Sequence, residues 1–125
     1  CDVLGYRPRT DVVTNTRQKV NVQFLQREGS PDIKLIEPSA DDSPLWGFLR
    51  SKGEGLHHLC FRTQDLEREL HELADRGLRI TARPEPGEAF DGHLIAFGYA
   101  GCGVNLEFID TDARRGLLLA SNQRG

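Results

Sequence analysis

The 125-residue sequence predicts one α+β domain made of paired βαβββ modules, which together form a curved, half-barrel mixed sheet. Three observations support this fold class. Polar and apolar residues alternate over 18–25, as in a half-buried strand. An apolar stripe with helical spacing follows Asp65. The order β-α-β-β-β then spans the second half, and the first half ends in a similar run of three strands.

The first half is expected to lack its initial strand and most of its helix in this sequence. Methionine is absent even at position 1, and residues 2–6 resemble the end of a helix that stops at Gly5. Residues 27–32 predict a hairpin connection, and Pro38 stops the strand before it. The predicted strands of this half are 9–14, 18–25 and 33–37.

The second half begins after a linker helix, for which Ser43 is the expected N-cap and Pro44 the first helical residue. Asp65 is the expected cap of a second helix that closes at Gly77, with Leu66, Leu70, Leu73 and Ala74 as its apolar stripe. The predicted strands are 56–62, 78–81, 93–99 and 104–109. We divide the domain into 1–37 (first module), 38–55 (linker helix), 56–110 (second module) and 111–125 (tail).

Composition excludes several classes of function. The net charge is −3 with both signs interspersed, which argues against a nucleic-acid partner. The sequence contains neither an apolar run of membrane-spanning length nor a signal peptide. Cys1, Cys60 and Cys102 form no close pair, so we expect reduced thiols in a cytoplasmic protein, with Cys60 buried in its apolar run.

Two predicted strands carry residues that suit a metal site. Strand alternation places His58 with Leu56 and Cys60, on the face opposite His57, so at most one of the two histidines binds a given ion. Glu107 points away from the apolar face formed by Val104, Leu106 and Phe108. Two interpretations stay open: Glu107 faces solvent and His58 is structural, or both line a polar cavity and bind a divalent ion.

A series of short motifs resembles the methylmalonyl-CoA epimerase family, in order and in spacing over residues 2–110. The most specific run joins Glu37-Pro38, Asp42-Ser43-Pro44, Phe48-Leu49 and Gly53-Glu54-Gly55-Leu56-His57-His58. Flanking pieces are Asp2-Val3-Leu4-Gly5-Tyr6, Gln18-Lys19-Val20-Asn21-Val22 and Val104-Asn105-Leu106-Glu107-Phe108. The resemblance places the sequence in the vicinal oxygen chelate superfamily, which also contains glyoxalases, bleomycin resistance proteins and dioxygenases.

This resemblance implies a divalent metal ion (Co, Zn, Mn, Ni or Fe) with His58 and Glu107 as ligands. A further ligand histidine of the family lies on a first strand outside this sequence, and the remaining ligand position is occupied here by Lys34. An ammonium group has no lone pair to offer a cation. Lys34 therefore points to solvent, acts as a catalytic group near the metal, or pairs with Glu107 in place of the metal.

The implied activity is a metal-dependent epimerase or isomerase that forms an enolate from a small acyl-thioester substrate, with Glu107 and Lys34 as candidate catalytic residues. A glyoxalase I-like lactoylglutathione lyase is one alternative. A metal-free ligand-binding or resistance protein is the other, with a cleft lined by Phe90, Phe97, Tyr99 and Trp46. Each of these aromatics is equally compatible with an ordinary core. A homodimer is expected, since paired modules often dimerise in this superfamily.

Overall fold

The computed structural model describes residues 2–118, which form two helices and eight strands. The chain divides into two compact units, and the described residues fall into 2–51 with 114–118 and into 52–113. The elements are β1 (Arg7–Pro8), β2 (Val13–Asn15), β3 (Val20–Gln26), β4 (Ile33–Pro38), α1 (Leu45–Lys52), β5 (His58–Arg62), α2 (Leu66–Asp75), β6 (Arg79–Pro86), β7 (Leu94–Tyr99) and β8 (Asn105–Ile109).

The first unit contains an antiparallel sheet in which β3 pairs with β1, β2 and β4. The hairpin between β3 and β4 turns at Gly29, whose positive φ of 72° suits glycine. The strand predicted over 9–14 is shorter than expected, since β2 begins only at Val13. Between β1 and β2, the Thr10 hydroxyl accepts a hydrogen bond from the Phe24 amide. Residues 2–5 form turns and Gly5 has the expected positive φ, so the helix end stays a prediction.

The second unit is a βαβββ module, as the sequence predicts. Its sheet has the order β5-β8-β7-β6, in which β5 and β8 run parallel and the other neighbours run antiparallel. β6 is longer than the predicted strand 78–81, and its register shifts interrupt the pairing with β7. A short 3₁₀ helix, Glu88–Phe90, lies between β6 and β7.

Helix α2 covers one face of this second sheet. The Asp65 carboxylate caps the helix by accepting a hydrogen bond from the Arg68 amide at 3.2 Å. Leu66 and Leu70 pack with Ala96 and Phe108 of the sheet, and all four are at most 4% exposed. Ala74, predicted as part of this stripe, is exposed, so the buried face of the helix is narrower than expected.

The α+β fold class is therefore confirmed, with a mixed sheet in the second unit. The linker helix is also present, and the Ser43 hydroxyl accepts a hydrogen bond from the Leu45 amide at 3.3 Å, as expected of its N-cap. Neither helix of the described chain is long and apolar enough to cross a membrane. The tail from residue 119 onward and Cys1 lie outside the described residues, so the sequence predictions for them have no structural counterpart.

Candidate metal centre

The side chains of strand β8 alternate between an apolar face of the sheet and the opposite face, which carries Glu107. Leu106 and Phe108 point toward α2 and join the core, whereas Glu107 points to the opposite face. Glu107 is only 1% exposed. The solvent-facing interpretation of this carboxylate is therefore wrong, because burying a charged group is costly unless it is hydrogen-bonded or bound to a cation.

The parallel pairing of β5 with β8 brings His58 to this carboxylate. His58 is paired with Asn105, and Cys60 with Glu107, so all four lie on the same face of the sheet. The His58 Nε2 lies 3.2 Å from the Glu107 Oε1, and the imidazole side chain is 10% exposed. The structure thus juxtaposes the two residues that the sequence selected.

His57 lies closer to His58 than strand alternation predicted. The two Nδ1 atoms are 2.8 Å apart, and the rings meet edge to face with centroids 5.1 Å apart. The opposite-face prediction fails because β5 begins at His58, so His57 precedes the strand and is not bound by its alternation. Sequence analysis missed this neighbour, and the adjacent pair of histidines was the available sign of it.

Two of the predicted pocket aromatics lie on the face of Glu107. The Phe97 ring is 5.8 Å from the His58 ring, and Phe97 is paired with Glu107 across β7 and β8. Tyr99 follows two residues later on the same face, with the Arg79 guanidinium 5.9 Å from its ring centroid. Phe90 is 2% exposed. Its place in the wall of a substrate pocket stays a prediction.

Lys34 and Trp46 belong to the first unit. Lys34 is paired with Phe24, is half-buried, and holds its Nζ 5.8 Å from the centroid of the Phe24 ring. Trp46 donates a hydrogen bond from Nε1 to the Ala40 carbonyl and lines a cavity of about 480 Å³ together with Asp41, Leu49 and Arg50. The three interpretations of Lys34 therefore stay predictions.

Cys60 differs from its prediction. It was expected to be a buried structural thiol, and its side chain is exposed. The reason lies in the position of β5 at one end of the strand order of its sheet, where Leu59 and Phe61 are also exposed by 43% and 52%. An apolar run in the sequence does not ensure burial when the strand lies at an edge.

The chemistry of His58 and Glu107 fits a divalent ion. Imidazole nitrogen and carboxylate oxygen are ordinary zinc ligands at about 2.0–2.2 Å, so two such atoms on one ion lie roughly 3 Å apart. The observed 3.2 Å between Nε2 and Oε1 matches that spacing. Within residues 2–118 no group of three or more His, Cys, Asp or Glu side chains is arranged around one point, so this pair supplies only part of a ligand shell.

Comparison with known proteins identifies the family of this fold. The model of the Glyoxalase/Bleomycin resistance protein/Dioxygenase superfamily matches residues 1–97. The chain belongs to this superfamily. The predicted relationship to the vicinal oxygen chelate proteins is thereby confirmed.

Two curated relatives align with the superfamily domain. The uncharacterized protein YqjC of Bacillus subtilis is 43% identical over 84 residues, which cover 67% of this chain and 59% of YqjC. An ethylmalonyl-CoA/methylmalonyl-CoA epimerase of Cereibacter sphaeroides is 31% identical over 80 residues, which cover 60% of each protein. The chain thus spans about three fifths of the length of these relatives.

A solved structure shares most of the architecture. The methylmalonyl-CoA epimerase of Streptomyces coelicolor, in complex with 2-nitronate-propionyl-CoA, has a TM-score of 0.75 and 26% identity. The structural match covers 90% of the present chain and 84% of the Streptomyces coelicolor chain. Homologues of this chain therefore include epimerases whose structures hold CoA-type small molecules.

Proposed function

We propose that this superfamily member is a metal-dependent epimerase or isomerase that forms an enolate from a small acyl-thioester of the methylmalonyl-CoA type. One observation carries the proposal: an imidazole nitrogen and a buried carboxylate oxygen lie 3.2 Å apart on one face of a sheet. The epimerase relatives support the same class of substrate. His58 and Glu107 are the proposed metal ligands.

The reaction requires a proton to leave and return at one carbon. A base removes the α-hydrogen as a proton, and the C–H electron pair moves onto the flanking carbonyl to form the enolate. Return of a proton to the opposite face inverts the carbon, with no net oxidation. His58 and Glu107 would hold a divalent ion, which would supply Lewis acidity for enolate formation.

Glu107 and Lys34 are the proposed acid–base groups. Glu107 is proposed for one role because its carboxylate is buried on the sheet face that also carries His58 and Phe97. Lys34 is proposed for the second role because it is half-buried and paired with Phe24. On that face of the sheet, Val22 and Phe24 of β3 are buried. We further propose that Phe97, Tyr99 and Phe90 contribute to the substrate pocket.

Solvent exchange tests this proposal directly. The protein is loaded with Co²⁺ or Zn²⁺ and incubated with methylmalonyl-CoA in D₂O, and deuterium at the α-carbon is followed by mass spectrometry. We expect exchange that falls at least 100-fold in Glu107→Gln. Absence of exchange in the metal-loaded wild-type protein would overturn the epimerase assignment, and turnover of the methylglyoxal–glutathione adduct would favour the glyoxalase alternative.

The metal-free alternative gives a different result in the same preparations. A ligand-binding or resistance protein would show no stoichiometric metal by elemental analysis and would bind an aromatic ligand, with quenching of Trp46 or shifts of Phe97 and Tyr99 resonances. The homodimer, the cytoplasmic location and the four-part division of the domain stay predictions. Size-exclusion chromatography with light scattering measures the oligomeric state.

A further inference from the structure

We propose that His57 is a positioning residue that holds the His58 imidazole in place and accepts its Nδ1 proton when the His58 Nε2 atom binds a divalent ion. The inference rests on the proposed metal site and deepens it. The observation that carries it is the 2.8 Å separation between the two Nδ1 atoms, with the rings 85° apart. At that distance one nitrogen carries a proton and the other accepts it.

The hydrogen-bond arrangement of the metal-free protein follows from Glu107. The carboxylate accepts, so the proton on neutral His58 lies on Nε2, 3.2 Å from Oε1. The His58 Nδ1 then has a lone pair, and the facing His57 Nδ1 is the donor. Three side chains thus form one chain of hydrogen bonds that ends at Glu107.

Metal ligation through Nε2 reverses this chain. A nitrogen that binds an ion carries no proton, so the proton of His58 must lie on Nδ1 and point at His57. The His57 Nδ1 becomes the acceptor, and its own proton lies on Nε2. Each imidazole keeps one proton in both arrangements, so the exchange involves tautomers and needs no change of charge.

His57 is suited to this role because it donates or accepts from the same ring atom. A backbone carbonyl at that position only accepts, and would favour the Nδ1–H tautomer of His58 at all times. Removing a side chain that hydrogen-bonds to a metal-binding histidine typically lowers metal affinity by about 10- to 100-fold. The T-shaped contact with the Phe97 ring restrains the other side of the imidazole, with centroids 5.8 Å apart.

Three variants separate positioning from folding. His57→Leu removes the hydrogen bond while keeping a side chain of similar size, and His57→Asn restores an acceptor oxygen close to the Nδ1 position. His71→Leu is the matched control, since His71 lies on α2 with 81% of its side chain exposed. We expect the Zn²⁺ dissociation constant by isothermal titration calorimetry to rise 10- to 100-fold in His57→Leu, and to change less than threefold in His57→Asn and His71→Leu.

Long-range ¹H–¹⁵N spectra supply the decisive readout, at about pH 8 where unperturbed imidazole is neutral. Without metal we expect His57 to carry its proton on Nδ1 and His58 to carry its proton on Nε2. After addition of Zn²⁺ we expect the proton of His57 on Nε2 and that of His58 on Nδ1. Wild-type affinity in His57→Leu, or an Nε2–H form of His57 in the metal-free protein, would overturn the proposal. If the wild-type protein binds no Zn²⁺, the metal-site proposal fails, and the metal-free spectra alone decide whether His57 donates to His58.

Discussion

Metal binding should stabilise the fold through His58 and Glu107, and replacing Glu107 by Gln should remove that stabilisation. Gln keeps the volume and the acceptor oxygen of Glu107 but loses its negative charge. A ligand that binds only the folded protein adds RT ln(1 + [L]/Kd) to the free energy of unfolding, or about 2.7 kcal/mol when its concentration is 100 times Kd.

The loss in the variant follows from the geometry. Oε1 lies 3.2 Å from Nε2, close to the spacing of two ligand atoms on one ion, so the substitution would remove a direct ligand of the proposed ion. Removing an outer partner of a metal ligand costs up to about 100-fold in affinity, and we take that as the minimum loss for Glu107→Gln. At the same metal concentration the variant then gains at most about 0.4 kcal/mol from the ion.

Differential scanning calorimetry with and without Zn²⁺ or Co²⁺ measures this difference. The expected gap of about 2.3 kcal/mol corresponds to roughly 7–14 °C less metal-induced rise in Tm for the variant than for the wild type. Glu67→Gln is the matched control, because Glu67 is an exposed carboxylate on α2 of the same unit. Equal metal-induced shifts in wild type and Glu107→Gln, or no shift in the wild type, would refute the assignment of Glu107 as a ligand.

The remaining predictions concern the stability and electrostatics of the scaffold. Leu70→Ala should lower the free energy of unfolding by about 2–5 kcal/mol in urea denaturation, since Leu70 is 3% exposed against the sheet. Gly98→Ala should cost about 1–3 kcal/mol in the same assay, because a Cβ there would lie 3.0 Å from three Leu78 atoms; Gly98→Ala at full stability would show that Leu78 moves freely. The side-chain hydrogen bond from Lys19 holds the pKa of the Asp42 carboxyl below its ordinary value. The stabilisation from this Asp42–Lys19 pair is therefore present above the pKa that Asp42 has in the unfolded chain, and it is lost as pH falls through the lower pKa of the folded protein. In Lys19→Met, NMR titration should show a higher pKa for Asp42 than in the wild type.

Much of the fold could be predicted from the sequence, because in the second unit the spacing of apolar residues agrees with the burial of their side chains. The helical spacing of Leu66 and Leu70 predicts the buried face of α2, and both are at most 3% exposed. Strand alternation likewise predicts that Glu107 opposes Phe108, which packs under the helix. These features depend only on the periods of helices and strands, which a single sequence records.

Other features depend on pairing between distant segments, and a single sequence does not record them. The exposure of Cys60 follows from the place of β5 in the strand order, not from its neighbours in the chain. The contact of His57 with His58 depends on the residue at which β5 begins, and element boundaries are poorly predicted from sequence. The late start of β2 within the predicted strand 9–14 accompanies a hydrogen bond from the Phe24 amide to the Thr10 hydroxyl, two residues far apart in the sequence.

The site itself depends on one register. His58 is opposite Asn105 in the parallel pair and reaches Glu107 two residues farther along, as a diagonal neighbour on the same face. A slip of one residue would turn His58 toward α2 and present Leu59 to the carboxylate, which would leave a buried charge facing an apolar side chain. The same register places Phe61 on Phe108, with ring centroids 6.2 Å apart on the helix side. Apolar packing on one face of the sheet therefore supports the alignment of the two proposed ligands on the other.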